Sequence, residues 1–195
     1  MSTTDLPSRE RLVRAARDLF WAQGVEGTSP RQVLEASGVG QGSLYHHFPT
    51  KHDLSLAAIS ATTYEALASV AGDLEDADRS PAERLVAYLE RPRPALAGCK
   101  VGRLTSDRSV MSDEELRGPV RDYFAGLVAR VQAVFEETGL PDDAAHDRAY
   151  AAVAVVQGGY VLARALDDPA ALRAAVEGFV SMLGPALEAD AVVTR

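Results

Sequence analysis

Apolar residues recur along this chain at intervals of three and four, and no stretch alternates in the manner of a strand. The first apolar stripe consists of Leu12, Ala15, Ala16, Leu19 and Phe20. Such a stripe predicts an amphipathic helix. Similar stripes predict long helices from residue 51 to about 72, from 120 to about 139, from 142 to about 166 and from the cap at 168–169 to about 183 or 188. The pattern therefore predicts an all-α fold.

Residues 27–53 contain the pattern of two short helices joined by a tight turn. Ser29 and Gln32 have the spacing of a capping box, and Pro30 stands at the first helical position between them. Gly38 supplies the left-handed residue that ends this helix, and Val39 is apolar enough to fill the turn. This arrangement predicts the first half of a helix-turn-helix.

The second short helix is expected over Gln41 to His47, with Leu44 and Phe48 inside and Pro49 ending it. Its other faces carry Gln41, Ser43, Tyr45, His46 and His47. Two helices separated by a glycine-containing turn form a helix-turn-helix, whose second helix reads the DNA major groove with such groups. The pattern indicates a DNA-binding protein.

Further helix caps are predicted where Ser or Thr stands three residues before an acidic residue. One more is predicted where Asp stands directly before a helix start. The predicted pairs are Thr50 with Asp53, Ser80 with Glu83 and Ser112 with Glu115, while Asp168 with Pro169 begins the last helix. Gly118-Pro119 is expected to kink or restart the helix in which it lies.

The run from Gly38-Val39 to Leu44-Tyr45-His46-His47-Phe48-Pro49-Thr50-Lys51 resembles the signature of the TetR family of transcriptional regulators. The helix from Arg11 to Gln23 matches that family's first helix. A weaker likeness joins residues 98–104 to a Gly-Cys-x-x-Gly element of one branch of TetR-like regulators. Two positions depart from the usual pattern: Leu34 replaces a small alanine, and Gly40 replaces a serine or threonine that would cap the next helix.

The resemblance implies a homodimer that binds a palindromic operator in double-stranded DNA and releases it when a small ligand binds. It implies a DNA-binding helix-turn-helix domain over residues 1–50, built as a three-helix head, and a helical effector-binding and dimerisation domain over 51–195. It also implies that Arg31 reaches a guanine and Lys51 a phosphate. The expected DNA contacts are Thr28, Ser29, Arg31, Gln41, Gly42, Ser43, Tyr45, His46, His47 and Lys51. Thr28 and Ser29 are included because free amides at a helix start can hold phosphate.

A ligand pocket is implied by the resemblance, since periodicity alone also fits a filled core. Aromatic residues with few polar groups suit a small, largely apolar effector. The residues expected to line it are Tyr64, Leu67, Tyr88, Cys99, Arg103, Leu104, Met111, Tyr123, Phe124, Leu127, Tyr150, Val153 and Gln157. Cys99 is either a sensing thiol or a small buried residue.

The last two predicted helices are too apolar to face water on one side, so they form either a dimer interface or the core of a monomer. Dimerisation is favoured because a helix-turn-helix normally reads two half-sites. The expected interface consists of Val156, Gly159, Tyr160, Ala163, Val176, Phe179, Val180 and Leu183.

The chain has 195 residues and a net charge of −8, yet its first 52 residues carry six basic and five acidic side chains. A near-neutral head on an acidic body predicts weak non-specific DNA binding with clear salt dependence. A single cysteine and the absence of an apolar run of membrane-spanning length favour the reducing cytoplasm.

The sequence gives little support for a metal site, a dinucleotide site or catalysis. His46 and His47 diverge by about 100° on a helix, so a metal site with His52 is not expected. The glycines at 38, 40 and 42 follow no strand, so they predict no dinucleotide site. We expect no cofactor and no catalysis. Two other functions stay open: a constitutive or architectural DNA-binding protein without an effector, and a ligand-binding module or enzyme with a vestigial head.

Overall fold

A computed structural model describes residues 6–193, and over residues 184–193 it describes the backbone alone. These residues form helices and no strands, which confirms the predicted all-α fold. The helices are α1 (Ser8–Gln23), α2 (Pro30–Ser37), α3 (Gln41–His47), α4 (Lys51–Leu74), α5 (Pro81–Glu90), α6 (Lys100–Leu104), α7 (Arg108–Met111), α8 (Glu114–Glu137), α9 (Asp142–Leu166) and α10 (Ala170–Val193). Residues 1–5 of the DNA-binding domain expected over residues 1–50 lie outside the described residues.

The chain forms two compact units. The first consists of Met1–Ala66 with Lys100–Tyr123, and the second of Leu67–Cys99 with Phe124–Arg195. Helices α6 and α7 therefore belong to the same unit as the N-terminal head. The boundary between residues 50 and 51 stays a prediction about the DNA-binding domain.

Most of the predicted caps form. The Ser29 and Ser80 hydroxyls accept from the amides of Gln32 and Glu83, whose side chains in turn accept from the amides of the capping serines. The Asp53 carboxylate accepts from the Thr50 amide at 2.9 Å. These contacts fix where α2, α4 and α5 begin.

The cap predicted at Ser112 is wrong. The Asp113 carboxylate accepts from the amides of Glu115 at 3.0 Å and Leu116 at 3.1 Å, while the Ser112 hydroxyl donates to the Arg108 carbonyl. Asp113 and not Ser112 caps the start of α8, because Ser112 is already the C-terminal cap of α7. Pro119 neither ends nor restarts α8, and α10 continues past Gly184-Pro185 to Val193.

In the second unit, α9 packs against α10 along the stripe that was expected to form a dimer interface. Val156, Gly159, Ala163, Val176 and Leu183 are buried within the single chain. A Cβ atom on Gly159 would lie 2.4 Å from Cδ1 of Leu172, so the two helices approach closely at this glycine. Packing of α9 on α10 already uses these five positions, and the expectation that they also meet a second chain stays a prediction.

Two helices, Lys51–Leu74 and Asp142–Leu166, are long and apolar enough by composition to cross a membrane. The sequence had indicated no such segment. Core helices of soluble proteins pass the same test, so this property is weak evidence of a membrane span.

Candidate DNA-binding site

The turn between α2 and α3 has the conformation that the sequence predicts. Gly38 lies in the left-handed region at φ 64° and ψ 24°, and its amide donates to the Leu34 carbonyl at 2.9 Å. The guanidinium of Arg11 donates to the carbonyls of Ser37 and Gly38. These carbonyls end a helix, so the arginine satisfies acceptors that would otherwise have no helical partner.

Helix α3 is anchored to the head by two buried apolar side chains, Leu44 and Phe48. The guanidinium of Arg9 lies over the Phe48 ring, 5.3 Å from its centroid. Gly40 caps the helix without any side-chain hydrogen bond, which agrees with the weaker cap expected from the glycine. Anchoring on one side leaves the opposite face of α3 to the solvent.

The exposed face of α3 carries most of the predicted base-reading groups. Gln41, Gly42, Tyr45 and His46 are exposed, and Tyr45 has 48% of its surface accessible. Ser43 and His47 are half-buried. Nothing lies within 4 Å of the position that a Cβ atom would take on Gly42, so this face is open at its centre.

The two cations implied by the resemblance already have protein partners. Arg31 is exposed and pairs with Glu35 one turn along α2, at 2.9 Å. Lys51 donates from Nζ to the Glu26 carbonyl at 3.3 Å. A phosphate would therefore compete with a carboxylate for Arg31 and with a carbonyl for Lys51.

The free amides expected at the start of α2 are not free. The Thr28 amide donates to the Val25 carbonyl, and the Ser29 amide donates to Oε1 of Gln32 at 2.8 Å. Thr28 is buried, and its hydroxyl donates to the Gly24 carbonyl at 2.7 Å. The expectation of free amides at Thr28 and Ser29 is wrong because the capping box and the preceding turn use these donors, while the DNA contacts of the two residues stay predictions.

Sequence reasoning missed the contacts that residues 100–113 make with the head and with the start of α4. The Lys100 ammonium lies 4.4 Å from the centroid of the Trp21 ring, and the Asp113 carboxylate lies 3.2 Å from Nε2 of His52. Between them, the Asp107 carboxylate accepts from the Val25 amide at 2.6 Å. Both partners of each contact belong to the first unit.

Asp107 is charged in this setting. Burial raises the pKa of its carboxyl, but hydrogen bonds from Ser109 and from the Val25 and Glu26 amides outweigh burial and hold the pKa below its ordinary value. No sequence motif indicates that Asp107 contacts the Val25 amide, although the Asp-x-Ser sequence at the start of α7 is recognisable as a helix cap.

The residues expected to line a ligand pocket divide between the two units. Tyr64 and Tyr150 are exposed, with 78% and 56% of their surfaces accessible. The others are buried or half-buried: Tyr88, Leu104, Tyr123, Leu127 and Val153 are buried, and Leu67, Cys99, Arg103, Met111, Phe124 and Gln157 are half-buried. Burial raises the pKa of Tyr88 to about 12, so its phenol stays neutral.

The second unit has a groove of about 410 Å³ between the end of α5, the residues that follow it and the start of α10. None of the predicted ligand residues lines this groove. Its lining is Leu89, Glu90, Arg91, Pro92, Arg93, Ala95, Pro169, Leu172, Arg173, Val176 and Glu177.

The histidines of α3 lie close together but in no metal-binding group. The rings of His46 and His47 are edge to face with centroids 5.2 Å apart. Within the part of the chain that the structure describes, no three His, Cys, Asp or Glu side chains are grouped to hold a metal ion.

Two family models match the chain. The model of the bacterial regulatory proteins of the TetR family matches residues 12–58, which contain the helix-turn-helix. The model of the C-terminal domain of LmrA/YxaF-like transcriptional regulators matches residues 79–178. The second match covers more than half of the chain and is consistent with the weaker likeness noted at residues 98–104.

Curated relatives and a solved structure agree with these models. The HTH-type transcriptional regulator LmrA of Bacillus subtilis is 30% identical over 162 residues, which cover 80% of this chain and 85% of LmrA. The HTH-type transcriptional regulator TcmR of Streptomyces glaucescens is 29% identical over 199 residues, covering 94% and 85%. A TetR-family regulator from Agrobacterium tumefaciens superposes with a TM-score of 0.76 at 27% identity, covering 90% and 96%.

These proteins are transcriptional regulators and not enzymes. The helix-turn-helix geometry, the open polar face of α3 and the two family matches lead to one assignment. The chain belongs to the TetR family of DNA-binding transcriptional regulators.

Proposed function

We propose that this regulator is a homodimeric repressor that binds a palindromic operator through α3 and leaves it when a small, largely apolar ligand binds. The observation that carries the proposal is the geometry of α3. Leu44 and Phe48 fasten one face to the head, and the opposite face presents Gln41, Tyr45 and His46 to solvent. A DNA-binding regulator works in the compartment that holds the DNA, so we place the protein in the cytoplasm.

The proposed contacts sort by chemistry. Gln41, Ser43 and His46 carry groups that pair with base edges, whereas the Tyr45 hydroxyl and the Lys51 ammonium suit phosphates. Gly42 allows the helix backbone to approach the groove closely. Arg31 would break its ion pair with Glu35 to contact a guanine. Ser29 is exposed and would contribute its hydroxyl to the same DNA-facing surface.

The proposed dimer uses the outward faces of α9 and α10 instead of the buried stripe between them. Val161, Leu166 and Met182 are among the most exposed large apolar residues whose side chains the structure describes, and Leu162 is also exposed. Exposed apolar groups that form one patch mark an interaction site, and we propose that these four side chains form such a patch. Tyr160, Phe179 and Val180 are half-buried and remain in the proposed interface at its edge.

The effector site is proposed in the C-terminal helical domain on the strength of the family resemblance. Buried Tyr88, Leu127 and Val153 would supply apolar contacts there. Cys99 and Gln157 are half-buried and would supply polar ones. The buried neutral phenol of Tyr88 would suit a single hydrogen bond to such a ligand.

Selection from random duplexes with the full-length protein tests this function. We expect an enriched inverted repeat, two chains bound per duplex in analytical ultracentrifugation, and release of the duplex by an apolar member of a small-molecule library. A reporter gene behind the selected site should be silenced by the protein.

Other results would contradict particular parts of the proposal. An asymmetric site bound by one chain would refute the dimeric reading, and reporter activation would refute repression. Specific binding that no compound of a broad library weakens would favour the constitutive regulator without an effector.

A further inference from the structure

One carboxylate of the first unit collects hydrogen bonds from two separate parts of the chain. Oδ2 of Asp107 accepts from the Val25 amide at 2.6 Å, and the Glu26 amide also donates to this carboxylate. Oδ1 accepts from the amide and the hydroxyl of Ser109, at 3.0 and 2.7 Å. Asp107 therefore joins the turn that follows α1 to the turn that precedes α7.

The turn after α1 depends on this partner. Val25 is 2% exposed, so water does not readily reach its amide, and a buried amide without an acceptor is costly. Gly24 adopts φ +83°, and a Cβ atom there would lie 3.0 Å from Oδ2 of Asp107. The glycine provides both the backbone conformation and the space for the carboxylate.

This same turn leads into the helix-turn-helix. Thr28 closes it through hydrogen bonds to Gly24 and Val25, and Lys51 at the start of α4 donates to the Glu26 carbonyl. Only Ser29 separates this turn from α2, which in turn ends at the Gly38 turn before α3. A displacement of residues 24–28 is therefore passed to both helices of the DNA-binding motif.

We propose that Asp107 is a positioning residue for operator binding, which holds the α1–α2 turn where α2 and α3 can meet DNA. The proposal rests on the DNA-binding role of α3 proposed above. Asp107 lies in residues 100–123, a stretch that the C-terminal family model covers but that packs with the head. The acidic side chain thus acts on DNA affinity through the backbone and without touching DNA.

Electrostatics alone predicts the opposite change in DNA affinity when the negative charge of Asp107 is removed. Removing a negative charge from a DNA-binding unit strengthens its attraction to phosphates. Loss of the positioning hydrogen bonds weakens binding instead, because the two helices lose their fixed register. The direction of the change in affinity therefore separates the two roles.

The test compares wild type with Asp107→Asn and with Asp168→Asn by fluorescence-anisotropy titration on the duplex selected by wild type. Asp168 accepts from the Ala170 amide at 2.8 Å at the start of α10, so its substitution also removes one charge and disturbs one helix cap. Titrations are made at a temperature at which circular dichroism shows each variant folded. We expect Asp107→Asn to raise Kd about tenfold or more, the cost of unmaking one or two charge-assisted bonds, and Asp168→Asn to change it less than twofold.

Two further readouts distinguish positioning from a general loss of stability. Hydrogen exchange at the Val25 and Glu26 amides should accelerate in Asp107→Asn. The dependence of log Kd on log salt should keep its slope because the substitution removes no phosphate-binding side chain. Ser109→Ala keeps the Val25 bond and should raise Kd less than Asp107→Asn does.

Clear outcomes would overturn the proposal. Equal or tighter operator binding by folded Asp107→Asn refutes it, as does a loss of affinity no larger than that of Asp168→Asn. Should Asp107→Asn fail to fold, faster exchange at Val25 in Ser109→Ala with an unchanged Kd refutes it as well, because the turn would then be loosened without any effect on operator binding. Failure of wild type itself to select any duplex would instead count against the DNA-binding role of α3.

Discussion

At the scale of single residues, the side chains of the head fall into those that hold the motif and those that face outward. Leu44 and Arg11 fix the position of α3 and of its turn, while Tyr45 stands half in the solvent. Gly42 belongs to the outward group because a Cβ atom there would meet nothing in the protein. Its missing side chain costs helix stability without any benefit to packing.

Substitution of Gly42 by alanine should separate stability from function. Alanine favours the helix by up to about 1 kcal/mol, so the free energy of unfolding should rise in guanidinium titrations. Operator affinity should fall severalfold in anisotropy titrations, because the new methyl group stands between the backbone and the groove.

Gly72→Ala provides the matched control for this test. Gly72 is also helical, exposed and open around its Cβ position, but it lies at the end of α4 outside the first unit. The control should gain stability and keep its operator affinity. Unchanged affinity in Gly42→Ala would remove Gly42 from the interface.

Residue-level predictions from sequence succeeded where the partners are near in the chain. Ser29 finds its partner three residues away, and the left-handed Gly38 follows from the end of one short helix. The bond from Val25 to Asp107 spans 82 residues, so no local pattern could indicate it. The amides of Thr28 and Ser29 were misjudged because the same local patterns that predicted the cap also use those donors.

At the scale of elements, apolar periodicity located the long helices and left their partners undetermined. The stripe through Val156 and Val176 has the spacing of a buried face, and such a face fits a core and a dimer interface equally well. The structure assigns it to packing between α9 and α10 of one chain. The outward faces of these helices, with Val161 and Met182, are also apolar, so the pattern alone could not tell which face meets a second chain.

Two substitutions on α9 compare these faces directly. Val161 is 66% exposed and Val156 is 3% exposed, so Val161→Asp and Val156→Asp place the same charge on opposite sides of one helix. The first should convert the proposed dimer to folded monomers in sedimentation velocity, with its thermal transition otherwise retained. The second should lower the free energy of unfolding by about 3 kcal/mol or more, since a buried charge without a partner is strongly destabilising.

The comparison can fail in a recognisable way. A Val161→Asp protein that stays dimeric at micromolar concentration would place the dimer interface elsewhere on the chain. Operator binding by this variant should also be weakened, because a monomer reaches only one half-site at a time.

At the scale of the whole molecule, acidic residues do more than set a net charge. Hydrogen bonds hold the pKa values of Asp53, Glu65, Asp107 and Asp113 below their ordinary values in the first unit, and the pKa of Glu83 is lowered in the second. For Glu65 the main cause is the hydrogen bond from Arg17. The bonds of Asp53, Glu83, Asp107 and Asp113 fix the starts of α4, α5, α7 and α8. The bond of Glu65 joins α4 to α1.

Acid should therefore destabilise the protein. A carboxyl whose pKa is lower in the folded state contributes stability above its unfolded pKa, here 3.8 for aspartate and 4.5 for glutamate, and loses it as pH falls through the folded value. The free energy of unfolding should fall steadily below about pH 4.5, measured by guanidinium titration with the fluorescence of Trp21, the single tryptophan. Asp107→Asn should show a shallower fall, and constant stability down to pH 3 would contradict the assigned hydrogen bonds.

The central claim is that the exposed face of α3 reads DNA, and one titration tests it most directly. Wild type, Tyr45→Ala and Tyr150→Ala are titrated against the selected operator and a scrambled duplex at about 150 mM salt, since affinity depends on ionic strength. Both tyrosines are exposed, but Tyr45 lies on α3 and Tyr150 on α9. We predict tight binding of the operator alone by wild type and Tyr150→Ala, and at least tenfold weaker binding by Tyr45→Ala. Equal operator affinity of all three proteins would contradict the account.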